Sequence, residues 1–280
     1  MPRSHIVRST TIQRSARVMQ LEGMFDIPFG KTSTLEWDVD FDLPTEWNVG
    51  VIVGASGSGK TTVANELFGE YLVDKWNWGK DAAIVDCFPS SMSIKDITRL
   101  LGSVGFNSPP SWLRPYHVLS NGEQFRVNMA RTLAEMPEVA VVDEFTSVVD
   151  RTVAQIGSAA LAKTVRRLNK KFIAVTCHYD VIEWLEPDWV FEPATNRFQS
   201  GRLVRRPEIK LDIQRVHYST WEIFRKHHYL DHNINKGAVC FCAFIDDRPA
   251  AFTSWLSFIS GTLKNTKRDH RTVCLPDFQG

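Results

Sequence analysis

The chain has few cysteines, no long apolar run and no internal repeat, and each absence excludes a class of protein. Its five cysteines are odd in number and form no Cys-x-x-Cys pair. This argues against a disulfide framework or a thiolate zinc site and favours a reducing, cytoplasmic setting. No apolar stretch approaches the ~20 residues of a membrane-spanning helix, so we expect no direct membrane insertion. With 280 residues, 43% hydrophobic and 23% charged, the chain is typical of a globular protein with a core.

The net charge of +1 hides an uneven distribution. The last 80 residues carry 13 Lys+Arg and 8 Asp+Glu, whereas the rest of the chain is net acidic. Such a bias is usual for a solvated surface, but it also leaves open an anionic partner such as nucleic acid. The first 20 residues contain arginines and no acid. Because Ile6, Val7, Ile12, Val18 and Leu21 stand among polar residues, we expect edge strands here rather than a targeting peptide.

Short apolar runs alternate with segments of helical spacing, which predicts an α/β fold. The runs predicted to be buried strands are Val49–Val53, Val139–Val142 and Phe172–Thr176. The segments predicted to be helices are Thr61–Phe68, Gly122–Met136 and Arg151–Leu168. Residues 82–118 contain four prolines and predict an irregular, partly helical insertion. This order of elements predicts a mostly parallel sheet covered on both faces.

A glycine-rich loop follows the first of these strands and precedes a helix. The fixed positions of the GxxxxGK[ST] pattern are filled by Gly54, Gly59, Lys60 and Thr61. The variable positions between the two glycines are Ala55, Ser56, Gly57 and Ser58, and Thr62 follows the pattern. Glycines allow backbone N–H groups to surround phosphate oxygens, and the helix N-terminus adds its dipole. Lys60 supplies a positive charge to the β- and γ-phosphates, and the Thr61 hydroxyl is a Mg²⁺ ligand. The loop predicts a site for a nucleotide phosphate.

Two acids end the second predicted strand. Asp143 is expected to bind Mg²⁺, usually through water, and Glu144 to polarise a water that attacks the γ-phosphate. Solvated acids at a strand end are common, but a pair that accompanies a phosphate loop has a specific use. Together the loop and the acids predict a site for a nucleotide phosphate and Mg²⁺.

A third motif closely resembles the LSGGEQ signature of the ATP-binding cassette (ABC) ATPases. It begins at Leu119 and continues with Ser120, Asn121, Gly122, Glu123 and Gln124. Other cassette motifs follow in the order of the family: Asp143-Glu144, then Asp150 as in the D-loop, then His178 as the switch histidine. The resemblance covers roughly residues 23–192. It implies a P-loop NTPase cassette with a mixed sheet, flanking helices and a small helical insertion.

The resemblance also implies a partner. In ABC ATPases two cassettes pack head to tail, and each nucleotide lies between the phosphate loop of one and the signature of the other. Ser120 and the Gly122 amide would contact the γ-phosphate that Lys60 and Thr61 of the partner hold. His178 would hydrogen-bond the γ-phosphate and orient the water near Glu144. With one loop and one signature, the chain is expected to form a homodimer or to pair with a related cassette subunit.

Several positions depart from the family pattern. Asn121 replaces the first glycine of the signature pair, and Phe145 replaces the proline that usually follows the acids. Asn tolerates a left-handed backbone, so we expect the signature turn to survive. No glutamine follows Ile84–Val85, where we expect the Q-loop, and Asp86 is the nearest polar residue.

Two further features of the cassette stay open. The adenine-stacking aromatic could be Phe25 or Phe29, and core packing explains either residue equally well. The 58 residues between Lys60 and Leu119 leave room for only a small helical part, compact for a transporter cassette.

The end of the chain predicts a second unit. A turn-rich stretch at 192–207 indicates a boundary, so we divide the chain into 1–198 and 199–280, the latter a small α+β segment. Its predicted strand, helix (Ser219–Tyr229) and two strands around Asp246–Pro249 resemble the start of a GNAT acyltransferase domain. Val273–Gly280 resembles the central strand of that family running into its acyl-CoA loop. Because the given sequence stops before further glycines, we expect no acyl transfer from it.

Other residues of this segment have ordinary explanations. His228 and His232 are four residues apart, as in a metal pair, but no third ligand follows at a recognisable spacing. Cys240 and Cys242 would face the same side of a strand, where core packing is the default.

Three hypotheses about function follow. The leading one is a soluble ABC-type ATPase whose cycle drives a fused or separate effector, with ATP binding alone as a variant. The second is the nucleotide-binding subunit of an ABC transporter. The third is an ATP-gated nucleic-acid repair or modification factor, suggested by the basic C-terminal part.

Overall fold

The computed structural model describes residues 3–26, 29–73, 75–136, 138–201, 210–228, 231–245, 247–258, 266–275 and 278. Its strands are β1 (Arg3–Thr11), β2 (Thr32–Asp40), β3 (Val49–Val53), β4 (Val139–Val142), β5 (Lys171–Thr176), β6 (Trp189–Glu192), β7 (Arg197–Ser200), β8 (Asp212–Val216), β9 (Val239–Ile245), β10 (Arg248–Ser257) and β11 (Lys267–Cys274). Its α-helices are α1 (Ala16–Phe25), α2 (Lys60–Phe68), α3 (Ile94–Ser103), α4 (Pro109–Trp112), α5 (Asn121–Glu135), α6 (Arg151–Arg167), α7 (Asp180–Leu185) and α8 (Trp221–Phe224). None of the described helices is long and apolar enough to cross a bilayer.

The central sheet has the order β4-β5-β3-β6-β7 and is parallel except for β7. Every residue of its middle strand β3 is buried, as continuous apolar runs in parallel sheets require. Val51 packs with the helical side of the sheet, where α5 and α6 lie, whereas Ile52 packs on the opposite face. The prediction of an α/β fold with a mostly parallel sheet is confirmed.

The opposite face of the sheet is covered by α2 and by the β1–β2 hairpin, whose strands pair antiparallel. Trp189 of β6 is fully buried there, and a Cβ atom added at Gly50 would lie 2.1 Å from its ring. Glycine is therefore required at that position because the indole occupies the space. Near the N-terminus the prediction is only partly right, since Val18 and Leu21 lie in helix α1 rather than in edge strands.

The insertion between α2 and α5 is irregular and partly helical, as predicted. It contains α3, α4 and two short 3₁₀ turns at Ile84–Cys87 and Tyr116–Val118. Ser93 begins α3 by accepting a hydrogen bond from the Asp96 backbone, and Ile97 and Leu101 bury the inner face of that helix. The insertion shares one core with α5 and α6.

The C-terminal segment forms its own antiparallel sheet in the order β8-β9-β10-β11. Its buried core is small and comprises Trp221, Phe224, Cys240, Cys242, Phe252 and Val273. Cys240 and Cys242 are therefore core residues, as expected. The predicted helix over 219–229 is shorter in the structure: α8 spans four residues, flanked by 3₁₀ turns that end at His227.

The predicted boundary falls inside β7, since this strand pairs with β6 as far as Ser200. Residues 202–209, which include the end of the turn-rich stretch, lie outside the described residues. Tyr229 and most of the terminal motif after Leu275 also lie outside them.

Candidate functional site

The phosphate loop connects β3 to α2 and has the backbone that its glycines permit. Gly57 and Gly59 have φ values of 79° and 89°, in the left-handed region where side chains are strained. Lys60 is nearly buried, and its Nζ atom crosses the loop to donate to the Ala55 carbonyl at 2.8 Å. Ser58 Oγ is buried and has no hydrogen-bond partner among the described residues. An unpaired polar atom inside a glycine-rich loop fits an oxygen-rich anion.

Trp37 of β2 supports this loop and is a residue that the sequence analysis missed. Its Nε1 atom donates to the Ser58 carbonyl at 3.0 Å, and a Cβ atom at Gly59 would lie 2.2 Å from its ring. Of the two aromatics considered for adenine stacking, Phe25 is 62% exposed at the end of α1, and Phe29 makes a cation–π contact with Arg14. Only the register of the β1–β2 hairpin, which places Trp37 opposite Ile6, brings the indole to the loop.

The predicted metal ligands come together. Thr61 begins the first turn of α2, and its hydroxyl donates to the Asp143 carboxylate at 2.7 Å. A hydroxyl and a carboxylate are hard oxygen ligands of the kind Mg²⁺ prefers, and Mg²⁺ sites are usually completed by phosphates and water. The described residues contain no cluster of three or more His, Cys, Asp or Glu that would hold a metal by themselves. The residues present therefore fit a Mg²⁺ ion that arrives with a nucleotide.

Glu144 lies in a turn with an unusual backbone. Its φ is 51°, and its backbone N–H donates to Asp143 at 2.8 Å, while its side chain is exposed. The next residue, Phe145, is fully buried between Phe125 and Phe172, and its N–H donates to the Val175 carbonyl at 2.9 Å. Proline has no N–H to make this bond. The departure from the family pattern thus fastens the Glu144 turn to β5.

His178 follows β5, which lies between β3 and β4 in the sheet. The carboxyl ends of parallel strands meet at one edge, so His178, the phosphate loop and the two acids share that edge. His178 is half-buried, and its backbone N–H donates a hydrogen bond to Thr176 Oγ1 at 3.1 Å. Thr176 Oγ1 also donates to the Phe145 carbonyl, which links the histidine loop to the Glu144 turn.

The signature motif forms the first turn of α5. Ser120 is the N-cap, and a capping box joins its hydroxyl and backbone N–H to Glu123. Asn121 is the first helical residue and has no positive φ. The expected left-handed turn is therefore absent, and Asn replaces glycine without strain because the backbone is helical. Ser120 and Asn121 are exposed, whereas Gly122 is buried and Gln124 holds the preceding turn through the Tyr116 and Leu119 carbonyls.

The D-loop residue Asp150 is the N-cap of α6, where its side chain accepts from the Thr152 backbone at 2.9 Å. That hydrogen bond holds the pKa of Asp150 below its ordinary value. The Asp150 side chain is more than half exposed, and it lies 3.9 Å from Arg248 of the C-terminal segment.

The stretch where we expect the Q-loop does not follow a strand. Ile84–Cys87 is a 3₁₀ turn inside the helical insertion, and Ile84 is fully buried. The chain instead leaves the sheet beside β4 at Leu72, which bridges in parallel to Val141. From there it crosses to α5, where Trp76 donates to Thr132 at 3.1 Å and Trp78 to Asn128 at 2.9 Å.

A cleft of about 510 Å³ opens between this crossing segment, α5 and the end of β4. Trp78 and Tyr116 stack at 4.9 Å on one wall, and Lys75, Asp143 and Glu144 belong to the lining as well. The two acids therefore face an open space of the size of a small ligand, bounded on the other side by the signature helix.

Parts of the chain are similar to known proteins. Residues 45–178 match the model of the AAA domain family. An uncharacterized ABC transporter ATP-binding protein of Methanocaldococcus jannaschii is 27% identical over 193 residues, which is 66% of this chain and 68% of that protein. The energy-coupling factor transporter ATP-binding protein EcfA of the same organism is 35% identical over 82 residues, or 29% of this chain and 26% of EcfA.

Among solved structures, the dimeric structure of a bacterial ABC transporter cassette matches with a TM-score of 0.46 and 18% identity, over 58% of this chain and 89% of the cassette. Apart from the first relative, the chain spans about a quarter to half of the curated relatives it matches. The predicted α/β fold with a phosphate loop of the P-loop NTPase kind is confirmed, and the curated relatives that the chain resembles are ATP-binding proteins.

Proposed function

We propose that this chain is the nucleotide-binding component of an ABC-type ATPase, which hydrolyses Mg·ATP between two cassettes that close head to tail. The observation that carries the proposal is the contact of Thr61 with Asp143, which joins the phosphate loop to the acid pair. The exposed Ser120, at the start of α5, is available to a nucleotide held by another copy. Because one chain has one loop and one signature, a complete site needs two chains.

In the proposed reaction the chain first binds the triphosphate. The amides of residues 54–59 surround the phosphates, and Lys60 neutralises charge on the β- and γ-phosphates. Thr61 and Asp143 would hold Mg²⁺, which when bound neutralises charge that develops on the phosphate oxygens. Ser120 and the Gly122 amide of the second chain would complete the site from the other side.

Glu144 then polarises a water molecule. The water oxygen forms a bond to the γ-phosphorus, the bond from that phosphorus to the β,γ-bridging oxygen breaks, and Glu144 accepts the proton of the water. The products are ADP and inorganic phosphate. His178, on the same edge of the sheet, would donate to the γ-phosphate, and loss of that phosphate would allow the two chains to separate.

The transporter hypothesis now gains over a free-standing ATPase, because the relatives that the chain matches are transporter ATP-binding proteins. We therefore infer that the partner that uses the ATP cycle belongs to the transporter class. The nucleic-acid hypothesis has no such support from the relatives.

A specific observation nevertheless keeps the fused effector as a second candidate. The C-terminal sheet runs in the order β8-β9-β10-β11 with α8 after its first strand, the order expected from the GNAT resemblance. We infer two units, the first of which includes β7 and the second of which begins with β8; the second is the attached effector. Copurification of the full chain with an integral membrane protein in detergent would favour the transporter over this candidate.

The proposed hydrolysis is tested by Glu144→Gln. Removing the general base should lower ATP turnover by roughly 10²–10⁴-fold while ATP binding persists. Because hydrolysis no longer reopens the dimer, the variant should accumulate as an ATP-dependent dimer in sedimentation velocity. Glu183→Gln, at an exposed carboxylate on α7, is the matched control and should keep full turnover. Turnover that persists unchanged in Glu144→Gln would remove Glu144 from its proposed role.

A further inference from the structure

The C-terminal segment is docked on the side of the cassette that carries the signature and the D-loop. Ile245 and Ala250, at the ends of β9 and β10, are buried against Ile156 of α6. Nearby, Arg248 lies 3.9 Å from the D-loop residue Asp150, an exposed pair of little energetic weight. The segment is thus fixed mainly by apolar contact with the helix that follows the D-loop.

The end of the segment also lies beside the signature helix. Leu275, which follows β11, lines a cleft together with Ser120 and Glu123 at the start of α5. The segment therefore packs on α6 and lies next to the first turn of α5, which gives it a defined position relative to Ser120.

A cleft of about 410 Å³ separates the two units beside Ser120. On the cassette side its polar residues include Ser111, Arg114, Ser120 and Glu123, and on the other side Lys226 follows α8. The Glu123 carboxylate already accepts hydrogen bonds from Ser111 and Ser120. Arg114 and Lys226 are both exposed, so the cleft presents two cations to whatever enters it beside Ser120.

We propose that Lys226 of the C-terminal segment belongs to the composite nucleotide site, where it contacts the phosphates of ATP bound to the loop of a second copy. This inference rests on the proposed head-to-tail dimer. In that arrangement Ser120 meets the γ-phosphate of the partner's nucleotide, so a cation lining the same cleft lies near the phosphates, which remain net negative with Mg²⁺ bound. The occupant is therefore a second copy of this chain carrying ATP, selected by charge complementarity.

The consequence is that closing of the dimer depends on the position of the C-terminal segment. Lys226 reaches the nucleotide only while the ends of β9 and β10 remain packed on α6. The segment then senses whether ATP is present, and displacing it weakens the closed state.

The test measures ATP-driven association in the Glu144→Gln background by sedimentation velocity at several salt concentrations. Adding Lys226→Gln should raise the dissociation constant of the dimer by roughly 10-fold or more, as expected when a hydrogen bond to a charged group is lost. It should also reduce the salt dependence of association, and Lys226→Arg should restore it. Arg225→Gln is the matched control, because Arg225 is the neighbouring exposed cation but pairs with Glu222 at 3.1 Å.

Each outcome separates the two proposals. If Glu144→Gln does not associate with ATP, the proposed dimer fails and the inference fails with it. If Glu144→Gln associates but Lys226→Gln behaves like Arg225→Gln, the dimer stands and the role of Lys226 is overturned. If Lys226→Gln associates more tightly, or without ATP, the segment opposes closure, which also overturns the proposal. Circular dichroism of each variant checks that the substitutions leave the fold intact.

Discussion

The cassette and the C-terminal segment use β-sheets in opposite ways. The central sheet of the cassette is parallel, and its middle strand β3 is buried along its whole length between two layers. The C-terminal sheet is antiparallel, and burial along β10 alternates between inner and outer residues. Trp255 and Ile213 of this sheet are 37% and 65% exposed. The cassette can therefore fold around its own core, whereas the segment has one small core and uses the cassette as its second support.

The two regions also differ in the buried apolar clusters that stabilise them. Two large buried clusters stabilise the cassette, and Trp189 at 0% exposure is central to one of them. The segment has a single cluster around Trp221 and Phe252. A change in the cassette core should therefore affect the whole chain, but a change in the segment core should stay local.

The largest expected effect is that of Trp189→Ala. Its ring contacts Phe41, Trp47 and Phe68, so its removal opens a cavity under the sheet that carries the phosphate loop. We expect a loss of about 3–5 kcal/mol in the free energy of unfolding, measured by urea denaturation, and a parallel loss of ATP affinity.

Phe252→Ala is the matched control for that prediction. The ring of Phe252 packs on Trp221 and Phe224, entirely within the segment. This variant should lose protection from hydrogen exchange in β9–β11 while the unfolding midpoint of the cassette stays in place. Cooperative unfolding of both regions in Phe252→Ala would show that they form one unit. The expectation that a change in the segment core stays local would then be wrong.

The contrast between the regions also explains what the sequence could predict. The three buried parallel strands were predictable because each is a short, unbroken apolar run between turn signals. Antiparallel strands with one exposed face, such as β8 with the exposed Ile213, mix apolar and polar residues and give a weaker signal. Helix α1 was missed because its apolar residues Val18 and Leu21 are spread as they would be in an edge strand, and α1 buries none of its residues.

The residues of the candidate site also differ in how well the sequence predicts their positions. The phosphate loop, Asp143 and Ser120 were predictable, since each role depends on residue types at fixed spacing along the chain. Trp37 was not, because its contact with the loop depends on the register of a hairpin that precedes it. The stretch expected to precede the Q-loop is a 3₁₀ turn, and the chain meets the edge of the sheet earlier, where Leu72 makes a single bridge with Val141. A bridge that short has no pattern in the sequence.

The reactivity of Cys274 tests whether the end of β11 is buried. Burial raises the pKa of this thiol to about 11, the largest contribution, with Arg126 acting in the opposite direction. At pH 8 its thiolate fraction should be roughly 100-fold below that of an ordinary thiol. Iodoacetamide should therefore label the exposed Cys177 of the cassette long before Cys274, as measured by peptide mass spectrometry.

Two other thiols control for that experiment. Burial also raises the pKa of Cys240 and Cys242, inside the segment core. If Cys274 labels as fast as Cys177 while Cys240 and Cys242 stay protected, the segment core is folded but the end of β11 is open to solvent. Labelling of all three at one slow rate supports the burial of Cys274.

The smallest expected effect is a difference in the sign of pH dependence between the regions. In the segment, burial first and Arg271 second lower the pKa of His228, and the same causes lower that of His270. The unfolded segment then binds more protons than the folded one below about pH 6.5, so stability is complete above that pH and falls as the pH drops. In the β1–β2 hairpin the hydrogen bond to Asp38 raises the pKa of His5. Its contribution is therefore present below about pH 6.5 and is lost as the pH rises through the raised pKa.

Hydrogen exchange at pH 5.5 and pH 7.5, corrected for the intrinsic rates, measures both signs in one sample. Protection in β9–β11 should fall at the lower pH, whereas protection in β1 and β2 should rise slightly. His228→Gln removes one titrating group and should flatten the response of the segment without changing that of the hairpin. If both regions respond with the same sign, the cause is the net charge of the whole molecule rather than these histidines. The separate behaviour of the two regions then rests on the core substitutions alone.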